Sequence, residues 1–407
     1  MAFFQDPVHE AFARWAIGSA PYGGVDYGEV GAMVAQVKPA DDASFFDAFS
    51  NFAKRRIDEG DAALAKGHEV TARECYLRAA MLLGLGYHPL FGKPVDPRLL
   101  AAFRLMMATF DKAMATGKHP GEKIHVRYEG TTLPAYFLRA EGYEDAVRPT
   151  ILVGGGWDST VVENYFGVGA AALRRGYHVL LHDGPGQGRL LIEEGLPLRH
   201  DWEKVVTRVV DAALKLEGVD AKRIAYQPWS LGGYMAPRVA AFEPRLAALI
   251  CDPGQIDVGS KILPVMKLLG LSDAAIARLP DLATDDEATL MKIINGNRML
   301  HWQIVQRGFW TNGASDLASF IAEMLKWKLD AATVAQIRCP TLVTAADGDR
   351  ASTNARELFD ALKVPKTFVQ FSAADGADQH CAQLNRSFAN RVKLDWLDAT
   401  LGHETAH

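Results

Sequence analysis

A chain of 407 residues, 49% hydrophobic and 23% charged, can bury a large core, and its length suits one large domain with a smaller one or a substantial insertion. With 44 Lys and Arg against 49 Asp and Glu, it carries a formal charge of −5 and no dense basic run, which excludes nucleic acid as a partner. No apolar run approaches about 18 residues, and the start at Met1 has no basic segment ahead of an apolar one, so neither a membrane span nor a signal peptide is predicted.

Residues 1–118 read as helical. Apolar residues recur at three- and four-residue steps over 8–17, 42–66, 70–85 and 97–115, between clusters of Gly, Pro and Asp. The stretch from Gly60 to Ala80 has the look of a tetratricopeptide-like helical hairpin. No second copy follows at a period of about 34 residues, so a single packed hairpin is predicted instead of a solenoid. At Lys123 the texture changes: 124–128 and 134–139 read as strands around the hairpin signal Glu129-Gly-Thr-Thr132. From Thr150 strands alternate with helices. Strands fall at 151–153, 178–182, 223–227 and 246–251, with helices running to residue 175, over 202–216 and over 234–242. Residues 255–336 interrupt this with helical segments rich in Met, Trp and Phe, such as 291–306 and 317–327. Alternation resumes with strands at 341–344 and 367–371 and helices at 354–362 and 383–401. The fold class is therefore α/β, a mostly parallel sheet flanked by helices.

The candidate chemistry centres on Gln227-Pro-Trp-Ser230-Leu-Gly-Gly-Tyr234, a serine between a strand and a helix. Such a turn lifts a serine Oγ toward substrate, as in the nucleophile elbow G-x-S-x-G. Gly232 and Gly233 supply the small residues on one side, while Pro228 stands where the first glycine belongs. A helix start capped by serine is the plain alternative. A nucleophilic serine needs a histidine to take its proton and a carboxylate to orient that histidine, all at the carboxyl ends of strands. Asp349 follows the strand at 341–344, and His380 follows the strand at 367–371. Ser230, Asp349 and His380 then run in the order serine, acid, histidine of α/β-hydrolases. Asp347 competes with Asp349; Asp349 is favoured because it lies three residues after the small Ala346, and both could serve only an Asx turn. Gly154-Gly-Gly-Trp-Asp-Ser159 follows a strand where an oxyanion hole would gather backbone donors, from Leu231 and either Gly156 or Trp157. The same stretch could be a turn capped by Asp158 or Ser159 before the next helix.

Asp183-Gly-Pro-Gly-Gln-Gly188 lacks the spacing and lysine of a phosphate loop and no clean helix starts at once, so it reads as a tight loop beside the crevice. Asp252 and Asp257 are turn formers that could reach the site. Trp302, Phe309, Trp310, Trp327, Tyr76, Tyr87 and His88 are read as mostly core, with a few lining an apolar pocket. Cys75, Cys251, Cys339 and Cys381 are scattered and twelve histidines show no ligand spacing, which predicts free thiols in a reducing cytoplasm, no metal and no cofactor.

On Gly154-Gly-Gly-Trp-Asp-Ser-Thr160, His182-Asp-Gly-Pro-Gly-Gln-Gly188, Ser230-Leu-Gly-Gly-Tyr234, Cys339-Pro-Thr-Leu342 and Asp375-Gly-Ala-Asp-Gln-His-Cys381, the chain resembles one α/β-hydrolase group. That group comprises 2,6-dihydroxypseudooxynicotine hydrolase and the fungal polyketide chain-shortening hydrolases. The resemblance implies hydrolysis of a carbon–carbon bond beside a ketone, in a β-diketone or acyl-arene, by a homodimer acting on a small-molecule ketone or ester. It also implies a division into an N-terminal helical cap region (1–120), a hydrolase core (121–254 and 337–407) and a helical lid insertion (255–336). A carboxylesterase, thioesterase or acyltransferase would use the same three residues, because the pocket sets leaving-group preference. A prolyl-oligopeptidase-type peptidase is disfavoured by the helical start, and a non-catalytic ligand-binding protein on the same fold is the reading from another class.

Overall fold

Strand and helix patterns from residue 122 onward close into one eight-stranded sheet in the computed structural model, which describes residues 2–403; Met1 and residues 404–407, the outer ends of the expected divisions, lie outside it. The strands are β1 (Glu122–Tyr128), β2 (Thr131–Leu138), β3 (Arg148–Gly154), β4 (His178–His182), β5 (Val219–Tyr226), β6 (Ala248–Cys251), β7 (Thr341–Ala346) and β8 (Lys366–Phe371). Their order is β1-β2-β4-β3-β5-β6-β7-β8. β2 pairs antiparallel with β1 and β4, and every other pairing is parallel. Between β1 and β2, Glu129 and Gly130 have φ of 37° and 86°, the left-handed backbone that a two-residue hairpin needs.

β4, β6 and β7 are buried along their whole length, as strands covered on both faces must be. Edge strand β1 instead alternates, with Val126 and Tyr128 inward and His125 and Arg127 outward. Because successive strand side chains point to opposite faces, the sheet carries two cores. Leu152, Leu180 and Tyr226 pack with Val205 and Val209 of the helix Glu203–Ala213 and with Tyr234 of the helix Gly232–Phe242. Ile151, Val153, Val179 and Leu181 pack on the other face with Leu394 and Leu397 of the last helix, Arg386–Leu401.

That second core runs on without a break into the N-terminal helices α1 (Pro7–Ser19), α2 (Tyr27–Val34), α3 (Asp42–Leu64), α4 (Glu69–Tyr87) and α5 (Pro97–Ala115), through Phe45, Phe49, Leu82 and Phe110. α3 and α4 form the one predicted hairpin. Gly60 permits their close approach, since a Cβ there would stand 2.7 Å from the Tyr76 ring.

Three helix readings are corrected. The helix expected over 291–306 breaks at Asn297 (φ −117°, ψ 114°), which ends Thr284–Gly296 and caps the next turn by accepting from Leu300 N–H at 3.0 Å; His301–Phe309 is then π-helical. The helix expected to reach residue 175 contains a π turn, Tyr165–Gly169, between Val161–Asn164 and Ala170–Arg174. The last helix starts at Arg386, after a 3-10 turn in which Cys381 and Ala382 have φ of 53° and 48°. A 3.6-residue apolar pattern marks which face is buried and carries no mark of a wider or tighter turn.

The inserted helices are tied to the N-terminal ones. Trp302 Nε1–H donates to the His88 carbonyl at 2.9 Å, Gln306 Nε2–H to the Phe91 carbonyl at 2.9 Å, and Arg298 pairs with Asp6 and Asp42. Among the described residues no helix is long and apolar enough to cross a membrane.

Candidate active site

β5 ends at Tyr226, and four residues later the chain turns sharply at Ser230, whose φ of 62° is rare for a residue with a side chain. Holding serine there costs about 1–3 kcal/mol unless the surroundings over-determine it. Here they do: Ser230 N–H donates to the Asp252 carbonyl at 2.8 Å, and Ser230 C=O accepts from Gly233 N–H at 2.9 Å and Gln255 Nε2–H at 2.7 Å. A Cβ on Gly232 would lie 2.6 Å from Pro228 Cβ, and one on Gly233 would run into the Pro253 carbonyl. Pro228 thus occupies space beside a residue that must remain glycine, and the turn forms without the usual first glycine.

His380 stands beyond β8 and Asp349 beyond β7. His380 Nε2 lies 2.8 Å from Ser230 Oγ, and its Nδ1 lies 2.9 Å from each Asp349 carboxylate oxygen. A carboxylate only accepts, so Nδ1 carries the proton and Nε2 is left to accept from the serine hydroxyl. Asp349 is buried and also accepts from Ala351 N–H at 2.9 Å and Cys381 N–H at 3.4 Å. Burial would raise its pKa, but the His380 charge and these donors together hold the carboxyl below the usual range. Burial would equally lower the His380 pKa; its surroundings, with the Asp349 carboxylate bonded at Nδ1, outweigh it and push the imidazole well above 6.5. Cys381 is itself pushed up by burial and stays a neutral thiol, so Asp349 is the charge that acts on His380. Asp347 is brought elsewhere: exposed, it accepts from Gln370 Nε2–H at 2.9 Å and Ala373 N–H at 3.4 Å, closing β7 against the loop after β8.

The glycine loop after β3 lies against the serine turn. A Cβ on Gly156 would stand 2.6 Å from Ser230 Cβ and 3.0 Å from Leu231 N, so only glycine fits. Gly156 N–H donates to Ser159 Oγ at 3.0 Å, whereas the N–H groups of Trp157 and Leu231 have no protein partner among the described residues. The next helix is capped by Thr160, not by Asp158 or Ser159: its side chain accepts from Val162 N–H, and Glu163 completes a capping box. The loop at residues 183–188 lies behind this one and leads directly into a five-residue helix, Gly188–Ile192, which corrects the reading that no helix follows at once. Gln187 Nε2–H donates to the Gly156 carbonyl at 2.5 Å, bracing the glycine loop from the side away from solvent.

Asp252 and Asp257 do not reach the cavity. Asp257 accepts from Ser260 N–H at 2.8 Å and pairs with Lys328 at 3.2 Å, a turn former. Asp252 makes a buried ion pair with Lys393 of the last helix at 2.5 Å and accepts from Thr344 Oγ1–H at 2.8 Å, while its carbonyl holds Ser230 N–H. This pair sits beneath both the serine turn and the histidine loop. Lys393→Met strands a buried carboxylate and is expected to cost about 3–5 kcal/mol of stability, measured as a lower chemical-denaturation midpoint at unchanged slope. A loss below about 1 kcal/mol would show that the carboxylate does not depend on the ammonium.

Ser230, His380 and Asp349 face a cavity of about 600 Å³, within the range of small-molecule sites. Its wall takes Phe12 and Trp15 from α1 and Trp302, Gln303 and Arg307 from the π-helical stretch. Of the aromatic candidates, Trp302 and His88 line it, while Tyr87, Trp310 and Trp327 are core and Tyr76 donates to Asp61. Three polar residues escaped the sequence reading. Gln255 holds the Ser230 carbonyl, and Lys261 Nζ donates to Gln255 Oε1 at 2.8 Å and the Ala351 carbonyl at 2.5 Å. Burial draws the Lys261 ammonium down to about 8, against the opposing charges of Asp349 and Asp257. The third, Arg307, lies over the rings of Trp157 and Trp302, 4.6 and 4.9 Å from their centroids. An arginine amid Trp302, Phe309 and Trp310 was the available signal. Among the described residues no cluster of His, Cys, Asp or Glu could hold a metal ion.

A family model described as the alpha/beta hydrolase family matches residues 150–389. The chain is 32% identical over 364 residues to Hydrolase LUC6 of Fusarium sp, covering 85% of this chain and 84% of that protein. It is 30% identical over 368 residues to 20-hydroxy-prefusarin hydrolase FUS2 of Gibberella moniliformis, again 85% and 84%. The solved structure of 2,6-dihydroxy-pseudo-oxynicotine hydrolase is similar in fold, with a TM-score of 0.73 at 23% identity, over 96% of this chain and 97% of that one.

Proposed function

This chain belongs to the alpha/beta hydrolase family and is a hydrolase; from that premise we propose that it cleaves a carbon–carbon bond beside a ketone through Ser230, His380 and Asp349. The observation that carries the reading is the unbroken line of contacts from Asp349 through His380 to Ser230 Oγ inside the cavity. His380 Nε2 takes the hydroxyl proton as Ser230 Oγ attacks the ketone carbonyl. The oxyanion that forms accepts from the two unpartnered donors, Leu231 N–H and Trp157 N–H, each such bond being worth about 3–4 kcal/mol in the transition state. The carbon–carbon bond then breaks, the departing carbon leaves as an enolate or electron-rich arene, and His380 returns the proton to it. Water, deprotonated by His380, finally releases the acyl group from Ser230 as a carboxylic acid.

Carbon is a poor leaving group, and the bond must be oriented and bulk water kept out. We assign that role to α1 as part of an N-terminal cap (residues 1–120) and to the insertion (255–336) as a lid, set on a core of 121–254 and 337–407; both supply cavity wall. The name 20-hydroxy-prefusarin hydrolase borne by one relative and the motif resemblance support a ketone of the polyketide kind. The same resemblance supports a homodimer, and the four unpaired cysteines support a reducing cytoplasm.

The test offers the enzyme a β-diketone, an acyl-arene and a simple ester sharing one acyl group, and identifies the products. Acid release from either ketone at a kcat/KM at or above that of the ester is the expected result. Turnover of the ester alone would make the protein a carboxylesterase, and failure of a fluorophosphonate to label Ser230 would make it a binding protein.

A further inference from the structure

Among the described residues Arg307 is the one cavity-wall cation that is shielded from water yet has no hydrogen-bond partner. Its guanidinium has five N–H donors, yet none forms a hydrogen bond to the described residues; Nε is buried and unpartnered. Its one opposite charge, Asp158, approaches Nη1 no closer than 3.7 Å, beyond hydrogen-bond range. Lys261, by contrast, spends its donors on Gln255 and Ala351, and Arg350 on the same wall is exposed to water. The backbone explains how Arg307 is held. In the π-helix His301–Phe309 residues five apart become neighbours, so Arg307 lies along Trp302, while Trp157 from the glycine loop covers its other contact. Two indole rings lie against the fork and neither satisfies its N–H groups. Burial lowers its pKa, with Asp158 only partly opposing, although a guanidinium stays charged throughout.

A cation held between two indoles, with its Nη donors unpaired and its side chain 17% exposed on a cavity wall, is a receptor for a planar anion two oxygens wide. We propose that Arg307 anchors such a group on the substrate, a carboxylate or the enolate of a 1,3-dicarbonyl, and so makes this hydrolase selective for acidic ketones. The fork's attachment to Trp157 sets the anion beside the loop that is to hold the reacting carbonyl. Asp158 works against the anion and limits how tightly it is held. The inference deepens the hydrolytic reading, but binding to Ser230→Ala enzyme does not depend on which bond is broken, so either can fail alone.

The test measures binding to the Ser230→Ala enzyme by the fluorescence of Trp157 and Trp302. One arm compares ω-benzoylalkanoates, from 3-benzoylpropionate to 6-benzoylhexanoate, with their methyl esters. The other compares 1-phenyl-1,3-butanedione, above the pH at which it ionises, with its 2,2-dimethyl derivative, which cannot form the enolate shared by the two carbonyls. In at least one arm the anionic member should bind tenfold or more tighter than its neutral partner, and the arm identifies the source of the anion. Adding Arg307→Met should reduce that preference by about 10- to 100-fold, the value of hydrogen bonds to a charged group, with Arg307→Lys in between. Asp158→Asn should increase anion affinity, a gain that a misfolded variant cannot produce. Equal binding of anion and neutral partner in both arms, or a preference unchanged within twofold by Arg307→Met, overturns the proposal.

Discussion

Replacing Ser230 by alanine is expected to lower kcat by on the order of 10⁵- to 10⁶-fold, and His380→Ala by about as much, because removing either half of a nucleophile and base pair disables both. The double variant should be no worse than either single one. The reason is geometric: His380 Nε2 is 2.8 Å from Ser230 Oγ, and the left-handed turn that presents the hydroxyl is held by Asp252, Gly233 and Gln255 backbone and side-chain bonds that alanine leaves in place. Ser230→Ala should therefore melt within a few degrees of the parent while losing fluorophosphonate labelling and turnover together. Residual turnover within a hundredfold of the parent would mean that another group attacks the substrate.

Asp349→Asn should cost about 10⁴-fold in kcat, and Asp347→Asn less than about threefold. Only Asp349 touches His380; Asp347 is exposed and its oxygens close β7 onto the loop after β8. An asparagine at 349 can offer an N–H to Nδ1 and hold the imidazole in the wrong tautomer, with Nε2 protonated and unable to accept from Ser230. The same substitution should move the pH profile. His380 acts as a base only when neutral, so kcat/KM should rise with pH through its ionisation, and the Asp349 carboxylate sets that ionisation above 6.5. Without the carboxylate, burial alone acts on the imidazole and disfavours its charged form, so the acid limb should shift to lower pH. A larger loss at Asp347, or an acid limb that stays in place in Asp349→Asn, would reassign the acid.

The two aspartates show how far local sequence reaches. Both follow β7, two residues apart, and a preference for the one three residues beyond Ala346 rests on spacing alone. The turn decides between them: Asp349 N–H donates to the Ala346 carbonyl and Gly348 N–H to the Asp378 carbonyl, which swings residue 349 inward beneath the histidine loop. The choice between Gly156 and Trp157 as a backbone donor has the same character, since it depends on Ser159 reaching back to Gly156 N–H. Pro228 is the converse case. Its departure from the elbow pattern looks disruptive in the sequence, yet the neighbouring Gly232 leaves room for the ring.

By itself the sequence determined the alternation of strands and helices, the parallel core, and the placing of serine, acid and histidine each after a different strand, because these follow from patterns a few residues long. It also marked the interrupted alternation at 255–336. Only the tertiary structure decided the rest: the breaks at Asn297 and the π turns, the buried Asp252–Lys393 pair, and the cavity shared by Phe12, Arg307 and His380. Those residues lie from tens to hundreds of positions apart along the chain. They meet because many weak apolar contacts, spread over two cores and the N-terminal helices, settle jointly on one packing, and no local stretch encodes a sum of that kind.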